Sequence, residues 1–371
     1  MSTKKDRSIN KDSQFMKLAI NLASDRVGLT GENPSVGCII VKDNEILSFG
    51  QTSINGRPHA EYNAIKSCKK SLKGSTIYIS LEPCSHHGKT PPCTDIIIKS
   101  KIRKVVFSTI DIDERSKSKS TNILKSKKIS VKKGILKKES NKLYNQYFFN
   151  KTNKMPFVTG KLALSKDNFI SSSKKLKITN IYSDKITQLL RYKNDSILIS
   201  SKTLKSDNPR LNCRIDGLKN YSPKRIILDK SLTIKKNSYI FSTSNKKNTI
   251  IFYNRGSKNK IKLLKKKGIK LIKLDLDENN FFDLKLILKN LFQNGCRNLL
   301  VEGGKSLTKS FIKYKLFNTF YLFKSSRKLG KSGKLNVSNE INQLFNKYKS
   351  KIKINSFTGD DLINIYSKQN V

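Results

Sequence analysis

Residues 59–61 read HAE and residues 81–93 read LEPCSHHGKTPPC, and these two stretches decide how the first part of the 371-residue chain folds. His59 stands at the start of a predicted helix over 60–72, and Cys84 follows a predicted strand over 75–81. One imidazole and two thiolates are good zinc ligands, and three protein ligands leave a fourth position open for water. We therefore predict that His59, Cys84 and Cys93 bind one zinc ion in a unit of mixed α/β structure.

Glu61 lies two residues beyond His59 and is the predicted catalytic residue of this site. Zinc lowers the pKa of its water, and a carboxylate facing the cavity can carry a proton from that water to a leaving amine. His-x-Glu followed by Pro-Cys is typical of zinc deaminases. A structural zinc site is the alternative, with His86 or His87 as a fourth ligand, but it would leave Glu61 without a role. We interpret both histidines as loop residues near the substrate.

The composition is strongly basic, with 76 Lys and Arg against 27 Asp and Glu and a formal net charge of +49. Only 12 of the basic residues are Arg. Because Arg supplies the bidentate and stacking contacts of nucleic-acid recognition, we favour a solvated lysine surface over a polyanion-binding one. We therefore predict that the protein has no nucleic-acid partner. The alternative hypothesis is a basic nucleic-acid-binding protein that carries a zinc domain.

The sequence also lacks the patterns of membrane and secreted proteins. No apolar run approaches the roughly 20 residues that a transmembrane helix needs, and the first thirty residues contain no apolar signal core. Six cysteines do not make a disulfide scaffold in a chain of this length, which favours reduced thiols or metal ligands. We expect a cytoplasmic protein without a membrane partner.

A change in composition and a polar linker divide the chain near residue 150. Residues 150–156 read NKTNKMP, and most of the excess positive charge lies in the second part. There, apolar strands alternate with helical segments, an order that is typical of a largely parallel sheet with helices on both faces. We predict two α/β domains, residues 1–150 and 151–371.

Three features together carry a family resemblance: residues 33–37 (NPSVG), residues 56–61 (GRPHAE) and the eight residues between Cys84 and Cys93. This combination resembles the RibD family of bifunctional riboflavin biosynthesis proteins. The resemblance implies a cytidine-deaminase-like α/β/α domain, a dihydrofolate-reductase-like α/β domain, and Zn²⁺ and NADPH as cofactors. It implies a phosphorylated small-molecule substrate, 2,5-diamino-6-(ribosylamino)-4(3H)-pyrimidinone 5′-phosphate. This pyrimidine would be deaminated and its ribosyl group reduced, giving 5-amino-6-(ribitylamino)uracil 5′-phosphate.

The second predicted domain carries motifs of the same family. Residues 301–304 read VEGG between a predicted strand and a predicted helix, where the backbone can approach a phosphate closely. The resemblance implies that NADPH is contacted by Leu164, Lys177, Thr203, Asp207, Gly304, Lys305 and Ser306. It implies that the substrate is contacted by Asn33, Arg191, Leu211, Arg214 and Glu302. The sequence indicates no proton donor for the reduction.

The chain also departs from the family pattern. Residues 111–114 read DIDE where the family usually has Asp-Pro-Asn-Pro, and Lys177 stands where an aromatic residue is common. Lys175 and Lys230 replace small polar residues that contact ligands in relatives. These departures keep a second hypothesis open, an active deaminase joined to a weakened or retargeted reductase domain. Relatives are often oligomeric, and a homo-oligomer is compatible with the resemblance.

Overall fold

A computed structural model describes residues 4–174, 176–245, 248–355 and 358–368, with side chains from residue 11 onwards. Lys175, one of the predicted departures, lies outside these described residues. The chain divides into two compact units, Met1–Lys154 and Met155–Val371. Each unit is built around its own sheet and is described by itself.

The first unit is an α/β/α sandwich around a mixed sheet with the order β2-β1-β3-β4-β5 in the described residues. Strand β1 is antiparallel to β2 and β3, whereas β3, β4 and β5 are parallel. The strands are β1 (Gly37–Lys42), β2 (Glu45–Gln51), β3 (Thr76–Leu81), β4 (Lys104–Thr109) and β5 (Ser130–Lys133). The helices are α1 (Lys4–Asp25), α2 (Ala60–Ser67), α3 (Cys93–Lys99), α4 (Lys119–Ser126) and α5 (Lys137–Asn153), with a short 3-10 helix at Ile54–Gly56.

Alternation along β1 divides the core of this unit between the two faces of the sheet. Cys38 and Ile40 belong to a buried cluster with Ala60 and Ala64 of α2 and Ile97 of α3. Ile39 and Val41 pack instead with Met16 and Ala19 of α1. Both faces of the sheet are therefore covered, and α2 and α3 lie on the same face.

Close packing at Gly50 fixes the position of α2 on the sheet. A Cβ atom at residue 50 would lie 2.4 Å from the Ala60 carbonyl oxygen and 2.5 Å from the Ala64 nitrogen. Backbone meets backbone at this point, so only glycine allows the first turns of α2 to approach β2 so closely. This contact places the amino end of α2, and with it His59 and Glu61.

The second unit contains a nine-stranded sheet with the order β11-β10-β9-β8-β12-β6-β13-β16-β15 in the described residues. The pairs from β11 to β13 are parallel, and β16 and β15 add antiparallel strands at one edge. The strands are β6 (Phe157–Leu164), β7 (Phe169–Ser172), β8 (Ser196–Ser200), β9 (Lys224–Leu228), β10 (Thr249–Tyr253), β11 (Lys270–Lys273), β12 (Asn298–Val301), β13 (Thr319–Lys324), β14 (Gly333–Asn336), β15 (Ser350–Ile354) and β16 (Leu362–Ser367).

Helices of the second unit connect these strands, and β7 pairs with β14 in a separate antiparallel ribbon. The helices are α6 (Ile181–Tyr192), α7 (Ser201–Asp207), α8 (Tyr239–Ser242), α9 (Lys258–Lys266), α10 (Leu284–Gln293), α11 (Lys305–Lys313) and α12 (Ser338–Lys347), with 3-10 helices at Lys219–Tyr221 and Gly330–Ser332. Because the strands from β11 to β13 run in one direction, their carboxyl ends share one edge, where ligands of open α/β sheets bind.

The predicted largely parallel sheet is confirmed, but the helix predicted over 60–72 is too long. Helix α2 ends at Ser67, and Cys68 has an extended backbone with φ −76° and ψ 124°. Leu72 is nevertheless buried in the core of the first unit. The apolar spacing that suggested a continuing helix comes from a turn that returns Leu72 to the core.

The substitution Gly50→Ala should displace the amino end of α2. The new Cβ atom meets backbone atoms, which cannot rotate away, so we expect a loss of about 1–3 kcal/mol in the free energy of unfolding of the first unit. Hydrogen–deuterium exchange of peptides from α2 would measure the loss locally. Glu45→Ala at an exposed position of the same strand is the control, and equal exchange in the two variants would contradict the packing argument.

Candidate active sites

Three potential metal ligands converge at the amino ends of α2 and α3. His59 precedes α2, Cys84 follows β3, and Cys93 begins α3. The His59 Nδ1 atom lies 3.6 Å from the Cys84 sulfur and 3.4 Å from the Cys93 sulfur. Tetrahedral zinc with bonds of about 2.3 Å to sulfur and 2.0 Å to nitrogen requires a sulfur–nitrogen distance of about 3.5 Å. The three side chains therefore fit a zinc ion.

The electrostatics of the two thiols also suit a cation. Hydrogen bonds from the Cys93 thiol, His59 and the Cys93 backbone N–H lower the pKa of Cys84 to about 4. The N–H lies 3.2 Å from the Cys84 sulfur. The pKa of Cys93 is raised well above its usual value, first by its hydrogen bond with Cys84 and then by burial. One thiolate is stabilised by the protein, and a bound cation would stabilise the second.

Glu61 is buried in the first turn of α2, beside these ligands. Burial raises the pKa of its carboxyl group to about 7, and the neighbouring charge of Cys84 acts in the same direction. The physical consequence is a carboxyl group that can both hold and release a proton near neutral pH. That property is what a proton shuttle requires.

Two loops enclose this group of residues. The Asn33 side chain donates a 2.9 Å hydrogen bond to the Gly56 carbonyl, three residues before His59. Arg57 donates to Thr90 Oγ1 at 2.6 Å, within the stretch between the two cysteines. Asn33 is thus tied to the segment that carries His59, while its contact with a substrate stays a prediction.

The histidines of the intervening loop are placed outside the ligand group. His86 Nδ1 lies 2.8 Å from Ser116 Oγ, which also accepts from the Ser85 N–H. Of the described residues, only His59, Cys84 and Cys93 form a cluster of three or more possible ligands, with ligand atoms within 4.8 Å of one another. A closed site with a fourth histidine therefore has no support in the described geometry.

Residues 111–114, whose sequence departs from the family pattern, are held by ionic contacts. Asp113 accepts from Arg115 and from Lys151, each at 2.7 Å. The Arg115 hydrogen bond, followed by that of Lys151, holds the pKa of Asp113 well below its usual range. Ion pairs at this position supply the restraint that prolines would supply in the pattern Asp-Pro-Asn-Pro.

In the second unit, Arg191 of α6 and Glu302 after β12 form a bidentate ion pair, with both nitrogen–oxygen distances at 2.8 Å. Arg191 also donates to the Asn212 carbonyl at 3.3 Å. Burial opposes the charge of Glu302, but Arg191 and then Lys161 keep its pKa below the usual range. Two of the predicted substrate contacts are therefore in direct contact with each other.

Lys161 is a functional candidate that the sequence analysis missed. Val301 of β12 lies opposite Gly160 of β6, so Lys161 and Glu302 follow at the next positions of neighbouring strands. The Lys161 ammonium lies 4.9 Å from the centre of the Phe323 ring. Burial lowers its pKa, and the charge of Glu302 partly offsets this effect. The signal in the sequence was a lysine within an otherwise apolar strand, which normally faces solvent.

Two of the predicted NADPH contacts adjoin at the carboxyl ends of β8 and β12. Gly304 precedes α11, and a Cβ atom there would lie 3.5 Å from Thr203 Oγ1. The backbone N–H groups at the start of α11 can bind a phosphate, because the first turn of a helix leaves its donors free. This helix end can hold the pyrophosphate of a dinucleotide.

The remaining predicted contacts have different surroundings. Leu164 is fully buried in the core, so its backbone alone could reach a ligand. Lys177 forms an ion pair with Asp184, and Lys305 donates to the Asn336 carbonyl. Leu211 is buried with a φ of 54°. The other three are exposed: Asp207, Arg214 and Ser306.

Comparison with known proteins gives two family matches. The RibD C-terminal domain matches residues 156–357, and the cytidine and deoxycytidylate deaminase zinc-binding region matches residues 9–109. The riboflavin biosynthesis protein RibD of Aquifex aeolicus is 34% identical over 323 residues, covering 86% of this chain and 88% of that protein. RibD of Actinobacillus pleuropneumoniae is 32% identical over 356 residues, covering 95% and 94%.

Solved structures extend the similarity to the whole fold. Form 1 of Acinetobacter baumannii RibD superposes with a TM-score of 0.83 at 25% identity, covering 97% of this chain and 99% of that one. A diaminohydroxyphosphoribosylaminopyrimidine deaminase/5-amino-6-(5-phosphoribosylamino)uracil reductase from Thermotoga maritima gives a TM-score of 0.80 at 28% identity, with the same coverage.

These findings define a bifunctional enzyme in which a zinc-dependent deaminase is joined to an NADPH-dependent reductase. The chain belongs to the RibD family of riboflavin biosynthesis proteins. The predicted cytidine-deaminase-like and dihydrofolate-reductase-like fold classes are confirmed, as is the predicted bifunctional activity. Within the described residues, no helix is long and apolar enough to cross a membrane.

The predicted ligands can be tested by metal analysis. Cys84→Ser and Cys93→Ser should each reduce the zinc content of the purified protein from one ion per chain to a small fraction, because each removes one thiolate from a three-ligand site. Cys68→Ser is the matched control, since Cys68 is outside the ligand cluster. Full zinc content in either ligand variant, or loss of zinc in the control, would refute the assignment.

Proposed function

We propose that the chain deaminates 2,5-diamino-6-(ribosylamino)-4(3H)-pyrimidinone 5′-phosphate and then reduces the ribosyl group, giving 5-amino-6-(ribitylamino)uracil 5′-phosphate. The Thermotoga maritima relative, a diaminohydroxyphosphoribosylaminopyrimidine deaminase and 5-amino-6-(5-phosphoribosylamino)uracil reductase, supports this substrate class. The observation that carries the proposal is the approach of His59, Cys84 and Cys93 beside buried Glu61. We assign deamination to residues 1–150 and reduction to residues 151–371.

In the proposed deaminase reaction, His59, Cys84 and Cys93 hold the metal and Glu61 carries the proton. Zinc bound there would lower the pKa of water and so supply hydroxide near neutral pH. Glu61 takes a proton from the water as its oxygen adds to the ring carbon that bears the 2-amino group, and gives this proton to the adjacent ring nitrogen. The second proton of the same oxygen then passes through Glu61 to the amino group, and the C–N bond breaks to release ammonia as the C=O bond forms. Asn33 lines the pocket for the base, beside the segment that carries His59.

In the proposed reductase reaction, the residues around Gly304 and Thr203 bind the cofactor, and Asp207 and Lys305 lie at its borders. NADPH supplies a hydride to the anomeric carbon of the ribosyl group. The Arg191 guanidinium already donates two hydrogen bonds to Glu302. We therefore propose that exposed Arg214 binds the substrate phosphate. Arg191 then acts by positioning Glu302, while buried Leu211 supports the segment between α7 and Arg214.

Lys161 is our proposed proton donor for the reduction. Hydride addition at the anomeric carbon opens the ribose ring, and the ring oxygen that is released needs a proton. Lys161 and Glu302 follow opposed residues of neighbouring strands, and the negative charge of Glu302 opposes the lowering of the Lys161 pKa by burial. An ammonium with a lowered pKa transfers its proton more readily than a solvated lysine does.

A second candidate function is an active deaminase with a weakened or retargeted reductase domain. The ion pair of Lys177 with Asp184 favours it, because this pair engages a residue expected to contact NADPH. The two candidates differ in whether NADPH is oxidised by the deaminated intermediate. For either one, we propose small-molecule substrates, a cytoplasmic location and a homo-oligomeric enzyme.

The substitution Glu61→Gln tests the deaminase mechanism. The variant should keep its zinc and lose ammonia release by at least about 100-fold, because the amide cannot shuttle protons. Mass analysis of the diaminopyrimidinone substrate, with and without NADPH, would follow both reactions. Wild type should give the deaminated product without NADPH and a product two hydrogens heavier with it. Near-normal deamination by the variant would contradict the assigned role, and no deamination by zinc-loaded wild type would overturn the proposed function.

The pH dependence of reduction tests Lys161. An acid catalyst works in its protonated form, so kcat for reduction should fall as pH rises through the lowered pKa of Lys161. Lys161→Arg should keep its charge to higher pH, and Lys161→Met should lower kcat by about 100-fold or more. Exposed Lys351→Met is the control. An unchanged kcat and pH profile in Lys161→Met would exclude this lysine as the proton donor.

A further inference from the structure

Two cations stand on adjoining loops at the carboxyl edge of the large sheet. Lys230 follows β9 and Arg255 follows β10, and these strands are parallel neighbours. The N–H groups of Asn254 and Arg255 both donate to the Lys230 carbonyl at 2.9 Å. The Arg255 side chain also donates to Ser231 Oγ at 3.3 Å. The backbone thus fixes a lysine, an arginine and a serine hydroxyl in one place.

The Lys230 ammonium is held at this edge by the loop that follows β11. It lies 4.7 Å from the centre of the Phe281 ring and donates to the Asn280 carbonyl. An ammonium group has three N–H donors, and the Asn280 carbonyl uses one of them, so the other donors of Lys230 can bind an anion. Within the described part of the chain, neither Lys230 nor Arg255 forms an ion pair with a carboxylate. Two positive charges without a bound counter-charge on ordered loops form a site suited to phosphate.

The order of the strands gives the position of Lys230, Ser231 and Arg255 relative to the proposed cofactor site. Strand β8 separates β9 from β12, and adjacent strands are about 4.8 Å apart, so Lys230 lies about 10 Å along the edge from Gly304. Lys161 and Glu302 lie on the opposite side, at β6 and β12. A dinucleotide with its pyrophosphate at Gly304 and its nicotinamide towards Lys161 therefore directs its adenosine towards β8 and β9.

We propose that Lys230 and Arg255, together with Ser231, bind the 2′-phosphate of the NADPH adenosine and so select NADPH over NADH. The inference rests on the proposed cofactor site at Gly304 and Thr203. NADH has a hydroxyl group at the same position, which would leave the two cations near each other without an anion between them. The phosphate neutralises both charges and can accept a hydrogen bond from each side chain.

Binding of two adenosine nucleotides tests the proposal without any turnover. Isothermal titration calorimetry of the full chain would compare 2′,5′-ADP, which carries the 2′-phosphate, with 5′-AMP, which does not. Lys230→Met and Arg255→Gln should each weaken 2′,5′-ADP binding by about tenfold or more and leave 5′-AMP binding unchanged. Lys224→Met removes one positive charge at the exposed amino end of the same strand β9 and should change neither affinity.

The outcomes separate this inference from the proposed function. If both variants bind 2′,5′-ADP as wild type does, while Gly304→Val no longer binds NADPH, the cofactor site stands and the role of Lys230 and Arg255 is wrong. An equal loss for 2′,5′-ADP and 5′-AMP would also refute phosphate recognition, because it indicates a general effect on the loops. If wild type binds no NADPH at all, the proposed reductase function itself fails.

Discussion

Convergence of one imidazole and two thiols beside a buried carboxyl group is the constraint on which the first unit depends. Gly50 allows α2 to approach the sheet, and this contact sets the position of His59 and Glu61. Cys84 and Cys93 are joined by backbone hydrogen bonds, from the Cys93 N–H to sulfur and from the Thr94 N–H to the Cys84 carbonyl. The negative charges of Cys84 and Glu61 oppose each other in this cluster, and a bound cation would offset that repulsion.

The second unit buries a comparable electrostatic group for a different reaction. Arg191, Glu302 and Lys161 carry two positive charges and one negative charge between helix α6 and the sheet. Buried ion pairs contribute little net stability, because desolvation opposes the Coulomb attraction. Their role is geometric, because Arg191 holds both carboxylate oxygens of Glu302, and the charge of Glu302 partly offsets the lowered pKa of Lys161. The surplus positive charge also suits a phosphorylated substrate.

The approach of His59, Cys84 and Cys93 could be predicted from the sequence, because these residues are close along the chain and their chemistry is distinctive, whereas their binding of zinc stays a prediction. His59, Glu61, Cys84 and Cys93 are separated by segments whose periodicity indicates helix or strand, so their approach follows from the α/β order. Lys161 could not be predicted, because its alternation in β6 resembles that of a solvent-facing residue and its place beside Glu302 follows only from the pairing of β6 with β12. The end of α2 at Ser67 was missed for a similar reason, since a turn and a helix can bury Leu72 equally well. The ionic restraint of Asp113 depends on Lys151, which lies far along the chain.

Cys84 and Cys93 bracket an eight-residue loop, so a zinc ion bound to both would be a cross-link as well as a catalyst. A zinc ion bound to both sulfurs would close the loop into a ring, much as a disulfide does. It would remove conformational freedom from the segment that carries His86 and Thr90, which accepts the hydrogen bond from Arg57. A bound ion would therefore stabilise the folded loop by binding its two ends, in addition to the chemistry it would supply beside it.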